Sequence, residues 1–187
     1  MRPQKVQDIE IMTSLVEAFR SKGYEGTSLA ELAKSTGLKK ASLYHRFPNG
    51  KQEMANAVLD HIEKWVDDHI FASLLDESKS PKVRLLNALN EVRNSYDGGK
   101  EACIFRALSI GQSVELFDLQ IKNGMNKWVN AFDKIGLALG LSKKEANQSA
   151  VNTLIKIQGS LIVTKGLNDL SIFETTLKEI EDSYLKR

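Results

Sequence analysis

The sequence predicts an all-α fold, and three observations carry that prediction. Apolar residues recur at intervals of three and four along most of the chain, as in Val6, Ile9, Met12, Val16 and Phe19. Helix-start chemistry precedes such runs: Ser28-x-x-Glu31 and Ser142-x-x-Glu145 read as capping boxes, and Ser80-Pro81 as a cap followed by proline at the first helical position. Helix stops follow them, at Gly23, Gly37, Asp97-Gly98-Gly99 and Gly140.

Taken in order, a first helix is expected from about Lys5 to Lys22, with its apolar stripe packed on the two short helices that follow. Tyr24 fills the gap between them. A second helix starts near Ser28, turns Leu29, Leu32 and Ala33 inward, and ends near Ser35 before Gly37. A third, about Lys39 to Arg46, sets Leu43 and Phe47 on one face and centres the opposite face on Ala41 and His45, flanked by Ser42 and Tyr44. So short a connection between two short helices is that of a helix-turn-helix.

The outward face of the third helix lacks large aliphatics. Its hydroxyls, imidazole, phenol and one small residue, with Lys39, Lys40 and Arg46 at the edges, are the mixture that a helix in a DNA major groove requires. A helical hairpin with a solvated polar face gives the same pattern, and composition does not separate the two. Residues 1–51 hold 9 Lys or Arg against 5 Asp or Glu, a net of +4, while residues 52–187 hold 17 against 19, a net of −2. The basic part is the one with the helix-turn-helix, although many proteins that never touch nucleic acid match this charge.

Here the residues carry a resemblance. The opening Gly23-Tyr24-Glu25-Gly26-Thr27-Ser28, the core Leu43-Tyr44-His45-Arg46-Phe47-Pro48 and the following Lys51 resemble the DNA-binding domain of TetR-type transcriptional regulators. The extra residue in Pro48-Asn49-Gly50-Lys51 is similar to the branch containing the LmrA and YxaF repressors. The resemblance implies a homodimeric, ligand-responsive, DNA-binding protein, usually a repressor. It divides the chain into a three-helix DNA-binding domain, 1–50, and a helical effector-binding and dimerisation domain, 51–187. Carried over residue by residue, it makes Lys40, Ala41, Ser42 and His45 candidates for base edges, and Thr27, Ser28, Tyr44, Arg46 and Lys51 candidates for phosphates. Two positions depart from the family pattern. Lys39 stands where Ser or Thr usually caps the recognition helix, which forfeits roughly 1 kcal/mol and suggests a phosphate-facing cation. Ala41 replaces a frequent glycine, and its methyl suits either a thymine methyl or simple space-filling.

Pro48 and Asn49 lead into a fourth helix, Lys51 to Leu75, with Met54, Val58, Ile62 and Trp65 on one face. Belonging to both domains, it is the expected rod through which an effector moves the recognition helix. A helix from Pro81 to Tyr96 follows. The run from Glu101 to Gly111 is apolar nearly all round and reads as a short buried helix. Two long helices come next, about Glu115–Leu139 and from Ser142 to about Lys165, and the second is apolar on two sides, one for its own core and one for a partner. Ser171 and Glu174 open the last helix. The family pairs its last two helices with those of a second subunit, which places Leu154, Ile155, Gly159, Ile162, Phe173, Leu177 and Ile180 at the expected dimer interface. Cys103, Phe105, Met125, Trp128 and Phe132, with Gln112 and Gln158 as orienting polar groups, are candidates for an effector pocket; for any single apolar member plain core packing is the better account, since an apolar residue at helical spacing needs no ligand to explain it.

Composition narrows the alternatives. A 42% hydrophobic and 27% charged chain of 187 residues is ordinary for a globular protein. No apolar run approaches a membrane span, so the expected location is the cytoplasm, on the nucleoid when bound to DNA. The single Cys103 excludes a disulfide framework, and His61 with His69 lack a further ligand cluster, so no metal or other cofactor is expected. An enzyme is disfavoured by the lack of a Gly-rich phosphate loop, an H-E-x-x-H motif, a Cys with an evident His partner or a carboxylate pair. The remaining alternatives are a transcriptional activator of the same fold and a helix-turn-helix used only for protein contacts.

Overall fold

Helix follows helix throughout the computed structural model, which describes residues 8–111 and 114–186. The helices are α1 (Asp8–Lys22), α2 (Leu29–Thr36), α3 (Lys40–Arg46), α4 (Lys51–Val66), α5 (Ala72–Leu75), α6 (Pro81–Ser95), α7 (Ile104–Leu108), α8 (Val114–Ala138), α9 (Lys143–Leu167) and α10 (Ser171–Leu185). The chain divides into two compact units: Met1–Ile62 with Ile104–Ile121, and Glu63–Cys103 with Lys122–Arg187. The unit that carries the helix-turn-helix therefore extends beyond residue 50, taking in most of α4, all of α7 and the start of α8.

In the first unit α1 turns Ile11, Leu15, Val16 and Phe19 inward and leaves Ile9 exposed. The expected stripe through Ile9 and Met12 is thus rotated at its N-terminal end, because Ile11 and Leu15 form a second apolar register that shares Val16 and Phe19. Leu32 of α2 and Leu43 of α3 complete this core. α7 buries Ile104, Phe105, Ala107 and Leu108 and packs on α1, with only Arg106 facing out. Gly23 permits the approach: a Cβ there would lie 3.0 Å from the carbonyl oxygen of Ala107. Phe117 and Ile121 of α8 are buried, and Gln120 donates to Asp60 at 2.6 Å.

The second unit is built on aromatic and aliphatic layers. Trp128 stacks on Phe132 at 5.9 Å, Phe71 meets Trp128 edge-on, and the Tyr184 ring lies 6.3 Å from Phe132. Tyr184 on α10 accepts from Thr153 of α9 and donates to the Phe132 carbonyl of α8, both at 3.4 Å. α10 packs along α9 and α6, and Arg93 binds the Glu174 carboxylate through Nε at 2.9 Å. The expected Ser171–Glu174 opening of α10 does not form a box: Asp169 accepts the Ser171 N–H instead, which releases Glu174 for Arg93. Between α4 and α5 the backbone makes a π-helical turn over Asp67–Phe71. That turn inserts an extra residue, so the buried side continues through Val66, Ile70, Phe71 and Leu74. Among the described residues no helix is long and apolar enough to cross a membrane, and no group of three His, Cys, Asp or Glu is placed to hold a metal.

Candidate nucleic-acid interface

The helix-turn-helix is assembled by local chemistry at its start and by packing at its end. Ser28 caps α2 by accepting the Glu31 N–H at 3.2 Å, and the Glu31 carboxylate accepts the Ser28 N–H at 2.8 Å, closing the box in both directions. Glu31 also pairs with Lys22, and that contact, with the Ser28 N–H, pulls its carboxyl down to about 2. Gly37 takes the left-handed conformation, φ 67°, and its N–H reaches the Lys34 carbonyl, which ends α2. Lys39 then stands at the start of α3 in extended geometry with no side-chain cap, as its residue type predicts. Leu43, buried to 1% exposure, anchors α3 from beneath.

With Leu43 inward, Lys40, Ala41, Ser42, Tyr44 and His45 are all exposed, Tyr44 to 45%. The outward face is therefore the predicted one, free of large aliphatics. Lys39 and Ser28 are exposed at its approaches.

Three of the predicted phosphate contacts are already engaged within the chain. Thr27 is wholly buried, and its hydroxyl donates to the Gly23 carbonyl at 2.6 Å and lies 3.3 Å from that of Ala18. It fixes the turn before α2 and has no surface for DNA, a correction to its expected role. Arg46 pairs with Asp8 at the start of α1. Lys51 donates to the Tyr24 carbonyl at 2.9 Å and stands 4.1 Å from the centre of the Tyr24 ring. Tyr24 itself stacks on Phe19 and meets Phe117 edge-on at 5.2 Å, so one half-buried ring ties α1, α4 and α8 together. Burial, then the neighbouring Glu25 carboxylate, raises its phenol above the ordinary range. The packing role of Tyr24 was legible from its position; the partners of Arg46 and Lys51, at sequence separations of 38 and 27, carried no local signal.

Residues 11–58 match the sequence model of the family described as bacterial regulatory proteins, tetR family. The chain belongs to the TetR family. It is a DNA-binding transcriptional regulator of that family, and its α2–turn–α3 segment lies wholly inside the matched region. Two Bacillus subtilis (strain 168) proteins are similar over most of their length. The HTH-type transcriptional regulator YxaF is 26% identical over 161 residues, 83% of each chain. LmrA is 20% identical over 162 residues, 83% of this chain and 84% of its own. Among solved structures, the TetR family regulator CifR, a cysteine mutant complexed with 26bp double-strand operator DNA, superposes with a TM-score of 0.76 at 18% identity, covering 98% of both chains. That likeness, over 98% of the chain, shows that its fold is one the family uses.

The remaining predicted sites of the regulator fall as follows. Cys103, Phe105, Trp128 and Phe132 are buried, and Met125 and Gln158 half-buried. Phe105 belongs to the first unit, and the other five to the second; Gln112 lies outside the described residues. Phe173, Leu177 and Ile180 sit at 2% exposure or less in the core of their own chain. Their expected place at a dimer interface is corrected: α10 spends its apolar stripe on α9 and α6. The exposed apolar side is on α9 instead, where Ile155, Ile162, Val163 and Leu167 stand out, Ile155 at 63% and Leu167 at 69%. Gly159 and Gly166 lie in the same stripe with nothing within 4 Å of a built Cβ, and Leu154 at its margin is half-buried.

Proposed function

We propose that this regulator is a homodimeric repressor that binds a palindromic operator and is released by a small apolar ligand held in its C-terminal region. The observation that carries the reading is the face of α3, where Lys40, Ala41, Ser42, Tyr44 and His45 are exposed together above a buried Leu43. Lys40, Ser42 and His45 supply donors and acceptors for base edges, Ala41 permits close approach, and Tyr44, Lys39 and Ser28 reach toward phosphates. In this reading residues 1–50 read DNA while 51–187 hold the effector and the partner. Two copies joined along the exposed α9 stripe would present two recognition helices, and a spacing of about 34–36 Å sets them in successive major grooves. CifR bound to operator DNA supports the DNA partner by analogy of fold. Repression over activation is supported by family habit alone.

Binding-site selection from a randomised duplex pool at about 0.15 M salt tests the proposal, since non-specific phosphate binding is weak there. The wild type is expected to enrich an inverted repeat that a Lys40→Ala, Tyr44→Ala double variant does not. A folded, dimeric wild type that enriches nothing above random competitor would sink the operator reading and leave the helix-turn-helix as a protein-contact module.

A further inference from the structure

We infer that Asp8 is an internal substitute for a DNA phosphate: its carboxylate engages the Arg46 guanidinium in place of the nucleic-acid backbone, and so limits how tightly the helix-turn-helix grips a duplex. The inference rests on the proposed DNA-binding role of the α3 face. Arg46 is the last residue of α3 and stands at the edge of that face, next to the exposed Tyr44 and His45, where a cation meets phosphate rather than a base. Its Nη1 donates to Asp8 Oδ1 instead. A guanidinium presents the same fork of donors to a carboxylate and to a phosphate, so the two compete for it. Both members of the pair belong to the first unit, and nothing local in the sequence announces it, since they lie 38 residues apart.

The pair has two opposed effects on DNA binding, and magnitudes decide between them. α3 is 7 residues long, lacks a side-chain cap at Lys39 and buries only Leu43, so a tie to α1 also steadies it. Yet the guanidinium side chain is 35% exposed and the carboxylate 87%. An ion pair so open to water holds its partners weakly, by a factor of about five at most. Against that small gain stand two losses of the same sign: a phosphate contact withheld from Arg46, and a negative charge carried beside the face that meets DNA. Asp8 sits with Glu10 in the first turn of α1, a position at which the helix dipole favours negative charge. Competition therefore outweighs steadying, and Asp8 acts as a positioning residue that lowers affinity through Arg46.

The full chain is titrated into a fluorescent duplex of random sequence between about 50 and 200 mM salt, a probe that reports phosphate contacts rather than base edges. Asp8→Asn is expected to bind about fivefold more tightly at the lower salt, and to steepen the slope of log affinity against log salt by about 0.9, the mark of one added phosphate contact. Asp8→Glu, which keeps the carboxylate, should stay closer to the wild type than Asp8→Asn does. In an Arg46→Gln background the gain from Asp8→Asn should shrink by more than half. Equal or weaker binding by Asp8→Asn would reduce the pair to a prop for α3, and an undiminished gain in the Arg46→Gln background would mean that Asp8 acts by its own charge alone; either result overturns the inference, as does an unchanged salt slope. A wild type and an Asp8→Asn variant that both ignore the duplex would sink the DNA-binding role of the α3 face as well, whereas duplex binding without the gain sinks this inference alone.

Discussion

Lys40 and Lys51 bracket the recognition helix, yet the structure uses them differently. Lys40 stands exposed on α3, whereas the Lys51 ammonium is committed to the Tyr24 carbonyl and ring. Lys40→Ala should therefore cost about 1–3 kcal/mol of operator binding and relax the sequence preference, as loss of a base-edge contact does, whereas the slope of log affinity against log salt reports the phosphate contacts. Lys51→Ala should lower the melting temperature and leave that slope unchanged. A slope reduced by one at Lys51 would return it to the phosphate contacts predicted from the family resemblance. What the sequence made legible at this scale is what neighbours decide. The Ser28–Glu31 box, the Gly37 stop and the uncapped Lys39 are all settled within a few residues. Thr27 was misjudged because burial comes from tertiary packing, and its hydroxyl spends itself on the Gly23 carbonyl.

Among the elements, α8, α9 and α10 meet at one phenol. Burial pushes the Tyr184 hydroxyl up to about 12, against 10.0 in its ordinary state. The unfolded chain loses this proton first, so the group's contribution to stability is complete below pH 10 and is lost as pH rises from 10 toward 12. Denaturant unfolding should show a decline approaching about 1.4 kcal/mol per pH unit across that window, from this group alone. Tyr184→Phe should remove that part of the decline while lowering stability at neutral pH, and an unaltered slope would show that the phenol is not so buried. Element existence was readable because periodicity is a property of each run, as was the two-sided character of α9. The inward role of the α10 stripe was not, since Phe173, Leu177 and Ile180 satisfy a partner's helix and their own core with the same spacing. The π-helical turn at Asp67–Phe71 also escaped, because one inserted residue leaves the apolar count of the helix unchanged.

For the whole molecule, the fold class and the basic helix-turn-helix were legible from pattern and charge, while the compact units were not. In sequence α1 ends at Lys22 and α7 begins only at Ile104, yet Gly23 lets them pack, and this puts 104–121 in the first unit. The exposed side of α9 sets the remaining prediction. If a second copy covers Ile155, Ile162 and Leu167, unfolding is coupled to dissociation, and the melting temperature should rise with protein concentration. Ile162→Asp should abolish that dependence and sediment as a monomer; a wild-type melting temperature constant over a hundredfold dilution, about 2.7 kcal/mol of mass action, would count against the dimer. The glycines of that stripe carry the consequence further. If a second copy also covers Gly159 and Gly166, where a built Cβ would meet nothing within 4 Å, the active form should scale with the square of the copy number at low abundance. A chain that pairs in this way would meter its own dose, since halving its synthesis would remove up to three-quarters of the species able to span two half-sites.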